Sequence, residues 1–423
     1  MITTLKKIGL IYGMILIIEL LAYFFYYEKA YLMPWGVTLL IIVQIALMTL
    51  ILTFRIIGFI TRFMRHKSFY FLMKHIISTS LWLLISPWML TGQIIISEML
   101  VHSPNNGYIS ELIDVEINGS TQSYSLRGED LSNPLILFLS GGPGGAQMPA
   151  TRQFLSGLED TYTIVNWDQP GTSKSYDAVY RVEPHTVETY IQDAHELTSY
   201  LKEKYNQEKI YLIGESWGSY LSVELVTRYP EDYYAVINTG QMVDFTETEV
   251  ACYEFALELA RDANDVQLIK RLENLGVPPY YGDRVGLDMN TYLNPLYQWM
   301  ETHPDVYHPK WNTLQLLISP EYSIWNSLHI VKGLLKTFTE IYPMLYGIDL
   351  RETHNTFEVP FYIFQGKYDV NAPIYLAEDY MSMLDAPDKE IVIFHHSGHN
   401  PWINEFELFT KEVKLRFTQH KDE

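Results

Sequence analysis

The stretch at 209–220, Lys-Ile-Tyr-Leu-Ile-Gly-Glu-Ser-Trp-Gly-Ser-Tyr, constrains the fold of this chain most strongly. Mostly apolar, β-prone residues run directly into the pattern Gly-x-Ser-x-Gly, and helical spacing follows over 220–228. The pattern predicts a strand, a sharp turn and a helix, with Ser216 held in a strained backbone conformation that needs small neighbours. A serine presented in this way is typical of a catalytic nucleophile, although a tight turn with a buried serine has the same pattern.

A serine hydroxyl is a weak nucleophile by itself, so it needs a base, and the base needs an orienting acid. Two later strands, predicted at 359–364 and 391–394, are followed by loops that contain Asp369 and His399. Catalytic groups of parallel sheets lie beyond the carboxyl ends of the strands. We therefore predict Ser216 as the nucleophile, His399 as the general base and then acid, and Asp369 as the group that orients His399.

Two other histidines are alternative bases. His395 and His396 follow the same strand immediately, whereas His399 comes after the turn at Gly398, which gives it reach into the site. A metal site made of the three histidines is a further alternative, but no acidic residue has the spacing of a metal ligand nearby. The sequence predicts no metal and no other cofactor.

A glycine cluster follows the apolar run at 134–139 and reads Ser-Gly-Gly-Pro-Gly-Gly at 140–145. Glycines leave the backbone N–H groups free to face a ligand, as the oxyanion hole of a hydrolytic enzyme requires. A phosphate-binding P-loop is excluded because its lysine and its Ser/Thr are missing. A flexible turn remains the alternative.

The remaining pattern predicts a mostly parallel sheet flanked by helices. Strands at 162–167 and 234–239 alternate with helical segments, and a hairpin is predicted around Asn118-Gly119. The alternation stops over 241–350, where the sequence becomes helical and aromatic. The expected organisation is α/β: a core whose first part is 101–240, a helical cap or lid at 241–350, and the second part of the core at 351–423.

Three long apolar stretches, at about 8–27, 35–57 and 69–96, occupy the first hundred residues. Each is long enough to cross the ~30 Å hydrocarbon core of a bilayer as a helix. We therefore predict a transmembrane region of about three helices over 1–100, and the lipid bilayer as a partner.

Basic residues predict the orientation of these spans. Two lysines precede the first stretch, and the loop between the second and the third contains Arg62, Arg65 and Lys67. Because basic residues collect on the cytoplasmic side, we expect a multi-pass protein of the cell membrane with a cytoplasmic N-terminus. The part of the chain beyond about residue 98 is then extracytoplasmic.

The charge of the chain is divided unevenly. The formal net charge is −20, yet residues 1–100 contain 8 Lys/Arg against 3 Asp/Glu, and the remainder contains 22 against 47. An acidic body repels phosphates and argues against nucleic acid as a partner. Cys252 is the single cysteine, which excludes an intrachain disulfide.

Five motifs occur in a fixed order: Gly-Gly-Pro-Gly-Gly at 141–145, Asp-Gln-Pro-Gly-Thr-Ser-Lys-Ser at 168–175, Gly-Glu-Ser-Trp-Gly at 214–218, Gly-Lys-Tyr-Asp at 366–369 and Ser-Gly-His at 397–399. Over about residues 110–415 they resemble the prolyl aminopeptidase (proline iminopeptidase) branch of the α/β-hydrolases. The resemblance implies the α/β-hydrolase fold, the triad named above, and an oxyanion hole formed by the backbone N–H groups of Gly141 and Trp217.

The chain also departs from this family. Ser140 stands where the family usually has His, Pro170 where it has Arg, and Val370 follows the predicted acid. Family members hold the free amine of the substrate with glutamates. The candidates for that role in this chain are Glu340, Glu247 and Glu249.

The leading hypothesis is a membrane-anchored serine hydrolase, an aminopeptidase that releases N-terminal residues from short peptides through an acyl-enzyme. The alternative is a membrane-associated esterase or lipase that takes acyl substrates from the bilayer, which the lid tryptophans Trp299, Trp311 and Trp325 fit equally well. A third reading is a non-catalytic, receptor-like hydrolase fold. The oligomeric state is left open.

Overall fold

The computed structural model describes residues 109–180, 185–309, 311, 313–317, 319, 321–322 and 324–420. The predicted membrane spans at 8–27, 35–57 and 69–96 lie outside these residues. Within the described ranges, every helix is too short or too polar to cross a bilayer.

One eight-stranded sheet forms the centre of the described chain, in the order β1-β2-β4-β3-β5-β6-β7-β8. The strands are β1 (Ile109–Ile117), β2 (Ser120–Gly128), β3 (Leu135–Leu139), β4 (Thr163–Asp168), β5 (Ile210–Glu215), β6 (Tyr233–Thr239), β7 (Phe361–Gly366) and β8 (Lys389–Phe394). The pairings of β2 with β1 and with β4 are antiparallel, and the other five are parallel. The prediction of a mostly parallel α/β sheet is confirmed.

Twelve α-helices surround or cap this sheet in the described part of the chain. They are α1 (Met148–Phe154), α2 (Val187–Lys204), α3 (Trp217–Arg228), α4 (Phe245–Asp262), α5 (Val266–Leu275), α6 (Val285–Thr302), α7 (Thr313–Leu317), α8 (Ile324–Ile341), α9 (Leu350–Thr353), α10 (Ile374–Met383), α11 (Pro401–Asn404) and α12 (Phe406–Gln419). Short 3₁₀ segments lie at Ser156–Leu158, Ser173–Tyr180, Pro230–Asp232 and Tyr342–Met344.

The β1–β2 hairpin turns at Asn118 and Gly119, as the sequence predicts. Both residues have positive φ, 46° and 80°, which is the backbone of the two-residue turn that matches the twist of paired strands. Ile117 and Ser120 face each other across the turn. The Asn118 amide also donates to Asp193 of α2 over 2.9 Å, which ties the turn to a helix of the core.

The sheet is buried on both faces, and alternate residues of each central strand separate the two sides. Leu135, Leu137 and Leu139 of β3 pack into one apolar cluster, whereas Ile136 and Phe138 pack into the other. A strand covered on both faces becomes continuously apolar instead of alternating, as the run at 134–139 is.

The six helices α4–α9 lie between β6 and β7 and form the cap of the sheet. Among the contacts that join the cap helix α8 to loops of the core, two lie close to the glycine-rich loops. The Thr337 hydroxyl donates to the carbonyl of Pro143 over 2.6 Å. A Cβ added to Gly333 would lie 1.8 Å from the carbonyl oxygen of Gly171, so this close approach of backbones requires glycine. The cap is therefore held directly above the glycine cluster.

Candidate active site

Ser216 lies at the junction between β5 and α3, with φ 54° and ψ −119°. Such a backbone is strained for a residue with a side chain, and the surrounding structure maintains it. The Ser216 N–H donates to the carbonyl of Thr239 at the end of β6 over 2.9 Å. A Cβ on Gly218 would lie only 1.9 Å from the carbonyl oxygen of Leu139, so α3 can approach β3 only with glycine at this position. The sharp turn predicted from the sequence is present.

His399 and Asp369 form a buried hydrogen-bonded pair, with 2.9 Å between Nδ1 of the histidine and Oδ2 of the aspartate. The Gln365 side chain donates to the same Oδ2 over 3.0 Å. The other oxygen, Oδ1, accepts the backbone N–H groups of Asn371 and Ala372 at 2.9 and 2.8 Å. Four donors thus fix the carboxylate, and the carboxylate fixes the imidazole.

The second ring nitrogen of His399, Nε2, lies 3.1 Å from the side-chain nitrogen of Asn371. Because an amide nitrogen only donates, Nε2 is the acceptor, and Nδ1 carries the proton and donates a hydrogen bond to Asp369. This tautomer is the one that a general base needs. Asn371 also donates to the hydroxyl of Tyr297, on cap helix α6, over 3.2 Å. In the structure, Nε2 is thus occupied by the Asn371 amide.

The charge environment raises the pKa of His399 above its ordinary value. Complete burial by itself lowers this pKa, but the charge and hydrogen bond of Asp369 outweigh burial, and the charge of Glu215 adds to them. A base with a raised pKa holds the serine proton more firmly during attack and still releases it to the leaving group.

Two loops supply the predicted oxyanion donors, Gly141 after β3 and Trp217 at the start of α3. The side chain of Gln169 joins them: its amide nitrogen donates to the carbonyl of Ser140 over 2.8 Å, and its oxygen accepts the Trp217 indole N–H over 2.9 Å. Gln169 belongs to the Asp-Gln-Pro-Gly motif, so this motif holds the two oxyanion segments at a fixed separation.

The Gly141 N–H has a partner in the structure, Oε2 of Glu215, at 2.5 Å. The side chain of Gln147 donates to the same oxygen over 3.0 Å. Burial raises the pKa of Glu215, and the His399 charge and these two hydrogen bonds oppose that rise. A second carboxylate therefore lies beside the nucleophile and in the electrostatic range of the histidine.

A pocket of about 260 Å³ opens on the His399 side of the site. The cap helix α6 and the loops around His399 form its walls, and Glu301 is the acidic member of the lining. Its apolar lining consists of Tyr297, Met300, Val306, Pro309, Trp311 and Ile403. A pocket of this size accommodates one small residue or a short acyl group.

The three candidate amine-binding glutamates of the cap lie in different surroundings. Glu340 is exposed and paired with Lys336, and Glu247 is half-buried and paired with Arg351. The structure therefore gives both carboxylates partners outside the triad. Glu249 is buried and accepts the hydroxyls of two cap tyrosines, and burial raises its pKa to about 7.

The two alternative bases, His395 and His396, lie outside the hydrogen-bond network of Asp369. His396 stacks on the ring of Tyr307 with 4.3 Å between ring centroids, and its Nδ1 faces the carbonyl of Asp305 at 2.9 Å. His395 is exposed. Of the three histidines in the described loop, only His399 contacts the predicted acid.

Several residues of the site were not identified from the sequence. Asn371 and Glu215 lie within two residues of triad members, and this proximity to the motifs was the available signal. Gln169 belongs to the motif at 168–175, whose sequence does not indicate what this side chain contacts. Gln365 was the last residue before a motif glycine. Tyr297 comes from the cap, where no motif marks it.

Comparison with known proteins finds relatives among the serine aminopeptidases. Residues 156–271 match the family model described as serine aminopeptidase, S33. The protein named "Probable aminopeptidase YbaC" from Bacillus subtilis (strain 168) is 28% identical over 318 residues, which are 75% of this chain and 99% of that protein. The "Proline iminopeptidase PfmaB" of Pestalotiopsis fici is 25% identical over 212 residues, 46% of this chain and 73% of that protein.

Solved structures show the same fold. The crystal structure of VinJ superposes with a TM-score of 0.55 at 15% identity and covers 73% of this chain and 99% of that one. At this identity the likeness concerns the fold alone. The nucleophile turn, the His399–Asp369 pair and the sequence relatives add the chemistry, and together they identify the chain as a serine hydrolase with the α/β-hydrolase fold.

Proposed function

We propose that this serine hydrolase is an aminopeptidase of the prolyl aminopeptidase type, which releases small N-terminal residues from short peptides. The observation that carries the proposal is the buried His399–Asp369 pair, with a small pocket beside His399 and Ser216 on a strained turn between β5 and α3. The names of the relatives, probable aminopeptidase and proline iminopeptidase, support the same reaction class.

The proposed reaction passes through an acyl-enzyme. Ser216 Oγ attacks the carbonyl carbon of the N-terminal residue while His399 Nε2 takes the hydroxyl proton. The oxyanion accepts hydrogen bonds from the N–H groups of Trp217 and Gly141. His399 then gives the proton to the departing amine as the C–N bond breaks. A water molecule, deprotonated by the same nitrogen, hydrolyses the ester and restores Ser216.

An esterase is the second candidate, and one observation favours it. The lining of the pocket is largely apolar, with Met300, Val306, Trp311 and Ile403 among its members. Such a lining accepts an acyl chain as readily as the side chain of an apolar residue. The two candidates differ in whether the substrate must have a free amino group.

A small substrate panel separates the two. We expect the full-length protein in detergent to cleave alanine and proline p-nitroanilides and to leave their N-acetylated forms uncleaved. Matched p-nitrophenyl acetate and butyrate test the esterase. Hydrolysis of the esters without cleavage of any free-amine anilide would contradict the aminopeptidase proposal. The control is the variant Ser216→Ala, which has to be inactive toward every member of the panel.

We also propose that residues 1–100 anchor the hydrolase in the cell membrane, with its catalytic part on the extracytoplasmic side. The support is the length of the three apolar stretches and the position of the basic residues between them. We expect the full chain to stay in the membrane pellet after alkaline carbonate and to be released by detergent, and protease added to intact cells to degrade its catalytic part. A chain without residues 1–100 is the control. Extraction by carbonate, or protection from the protease, would contradict the respective part of the proposal.

A further inference from the structure

Glu215 is an acidic residue next to the nucleophile, and the reaction described above gives it no role. Only 4% of it is exposed. Its hydrogen bonds, from the Gly141 N–H and from the Gln147 side chain, both end on Oε2. One carboxylate oxygen of Glu215 therefore occupies the Gly141 N–H group, which is one of the two groups predicted to donate a hydrogen bond to the oxyanion.

A buried negative charge in this place affects substrates differently. The tetrahedral intermediate carries its own negative charge, and two anions in a site with little water repel each other strongly. A neutral acyl ester offers nothing to compensate this repulsion. An N-terminal residue has an ammonium group one carbon away from the reacting carbonyl, and this cation can pair with the carboxylate and reduce the repulsion.

We propose that Glu215 selects substrates with a free amino group: its carboxylate binds the substrate ammonium beside Ser216 and disfavours acyl substrates that lack this charge. The inference rests on the proposed aminopeptidase function and assigns its amine site to a residue of the core. As the ammonium draws the carboxylate toward itself, the Gly141 N–H is released to the oxyanion. Binding of a substrate with a free ammonium group thus also completes the oxyanion hole.

The other acids near the site are less suited to this role. The carboxylates of Glu340 and Glu247 are already paired with Lys336 and Arg351, respectively. The hydroxyls of two tyrosines satisfy Glu249. Glu301 lines the pocket but is exposed, where water weakens its pairing with a cation. Glu215 combines burial with a position directly before the nucleophile.

The variant Glu215→Gln tests the proposal, because it removes the charge and keeps an oxygen that can accept the Gly141 N–H. We expect kcat/KM for alanine p-nitroanilide to fall by about 30-fold or more, the size of the loss when one member of a buried charge pair is removed. For p-nitrophenyl acetate, kcat/KM should stay unchanged or rise. Glu301→Gln is the matched control for a pocket acid, and Glu340→Gln for an exposed one.

Each outcome decides the proposal. An equal fall for the anilide and the ester would mean that Glu215 only positions the loop that contains Gly141. No change for either substrate would mean that Glu215 has no part in recognition. A fall of anilide cleavage in Glu301→Gln alone would move the amine site to the rim of the pocket.

A labelling experiment separates this inference from the proposed function. A neutral fluorophosphonate and an α-aminoalkyl phosphonate both modify Ser216, and only the second carries an ammonium group. If the wild-type protein cleaves no anilide, the aminopeptidase proposal fails by itself. The ratio of the two labelling rates, cationic over neutral, would still support the role of Glu215 if it falls from the wild type to Glu215→Gln. An unchanged ratio in the variant would overturn it.

Discussion

Replacing Ser216 by alanine should lower kcat by about 10⁴-fold or more toward every substrate that the protein cleaves. The hydroxyl oxygen is the atom that forms the acyl-enzyme, and the remaining members of the triad have no second nucleophile to activate. Oxyanion donors and substrate binding leave a residual acceleration over the reaction in water, so the expected activity is very low rather than zero. Turnover of the p-nitroanilide and p-nitrophenyl substrates measures this loss.

The same substitution should leave the fold unchanged. Alanine retains the Cβ that serine already places at φ 54°, so it adds no backbone strain. The hydrogen bond from the backbone N–H of residue 216 to the carbonyl of Thr239 does not involve the side chain. We therefore expect the free energy of unfolding to change by less than about 1 kcal/mol, as judged from thermal or denaturant unfolding of the two proteins.

Ser222→Ala is the matched control for this experiment. Ser222 lies on the same helix α3, is buried, and donates its hydroxyl to the carbonyl of Ser219 and to the Asn238 side chain. Its loss should cost about 1 kcal/mol of stability, while labelling of the nucleophile by a fluorophosphonate continues. If Ser216→Ala were still labelled, or turned over substrate at the wild-type rate, the nucleophile would have to be a different residue.

The strands and the nucleophile turn could be predicted because their information is local. The run at 134–139 is apolar without interruption, and the structure buries every residue of β3 on one face or the other. The helix after the nucleophile turn begins at Trp217, three residues before the predicted start at residue 220. The residues that follow Ser216 already form the first turn of the helix. β7 begins at Phe361 rather than at residue 359, since the intervening Pro360 has no N–H for the ladder.

The contacts that complete the site could not be predicted, because they join residues far apart in sequence through ordinary side chains. Gln169 reaches Trp217, 48 positions away, by an indole hydrogen bond that no motif records. Tyr297 reaches Asn371 from the cap, whose helices carry no pattern that fixes their placement over the sheet. The cap glutamates illustrate the same limit, since sequence offered three of them with equal weight.

Replacing Asp369 by asparagine should lower kcat by about 10⁴-fold, the size of the effect when the orienting acid of such a triad loses its charge. The backbone N–H groups of Asn371 and Ala372 both donate to Oδ1, so the new amide oxygen takes that position. The amide nitrogen then faces Nδ1 of His399, which has to become the acceptor. The proton moves to Nε2, and this nitrogen can no longer take the proton of Ser216.

The pH dependence of the same variant gives an independent measurement. Catalysis needs neutral His399, so kcat/KM rises with pH through its pKa, which Asp369 holds above the ordinary value. Removing that negative charge lowers the pKa, and the acidic limb of the profile should move to lower pH while the plateau falls. The control Asp262→Asn removes a charge from the exposed end of α4. It should change neither the pH of the acidic limb nor the height of the plateau. A variant of Asp369 with wild-type activity and an unmoved limb would mean that another carboxylate orients the histidine, and Glu215 would be the first to examine.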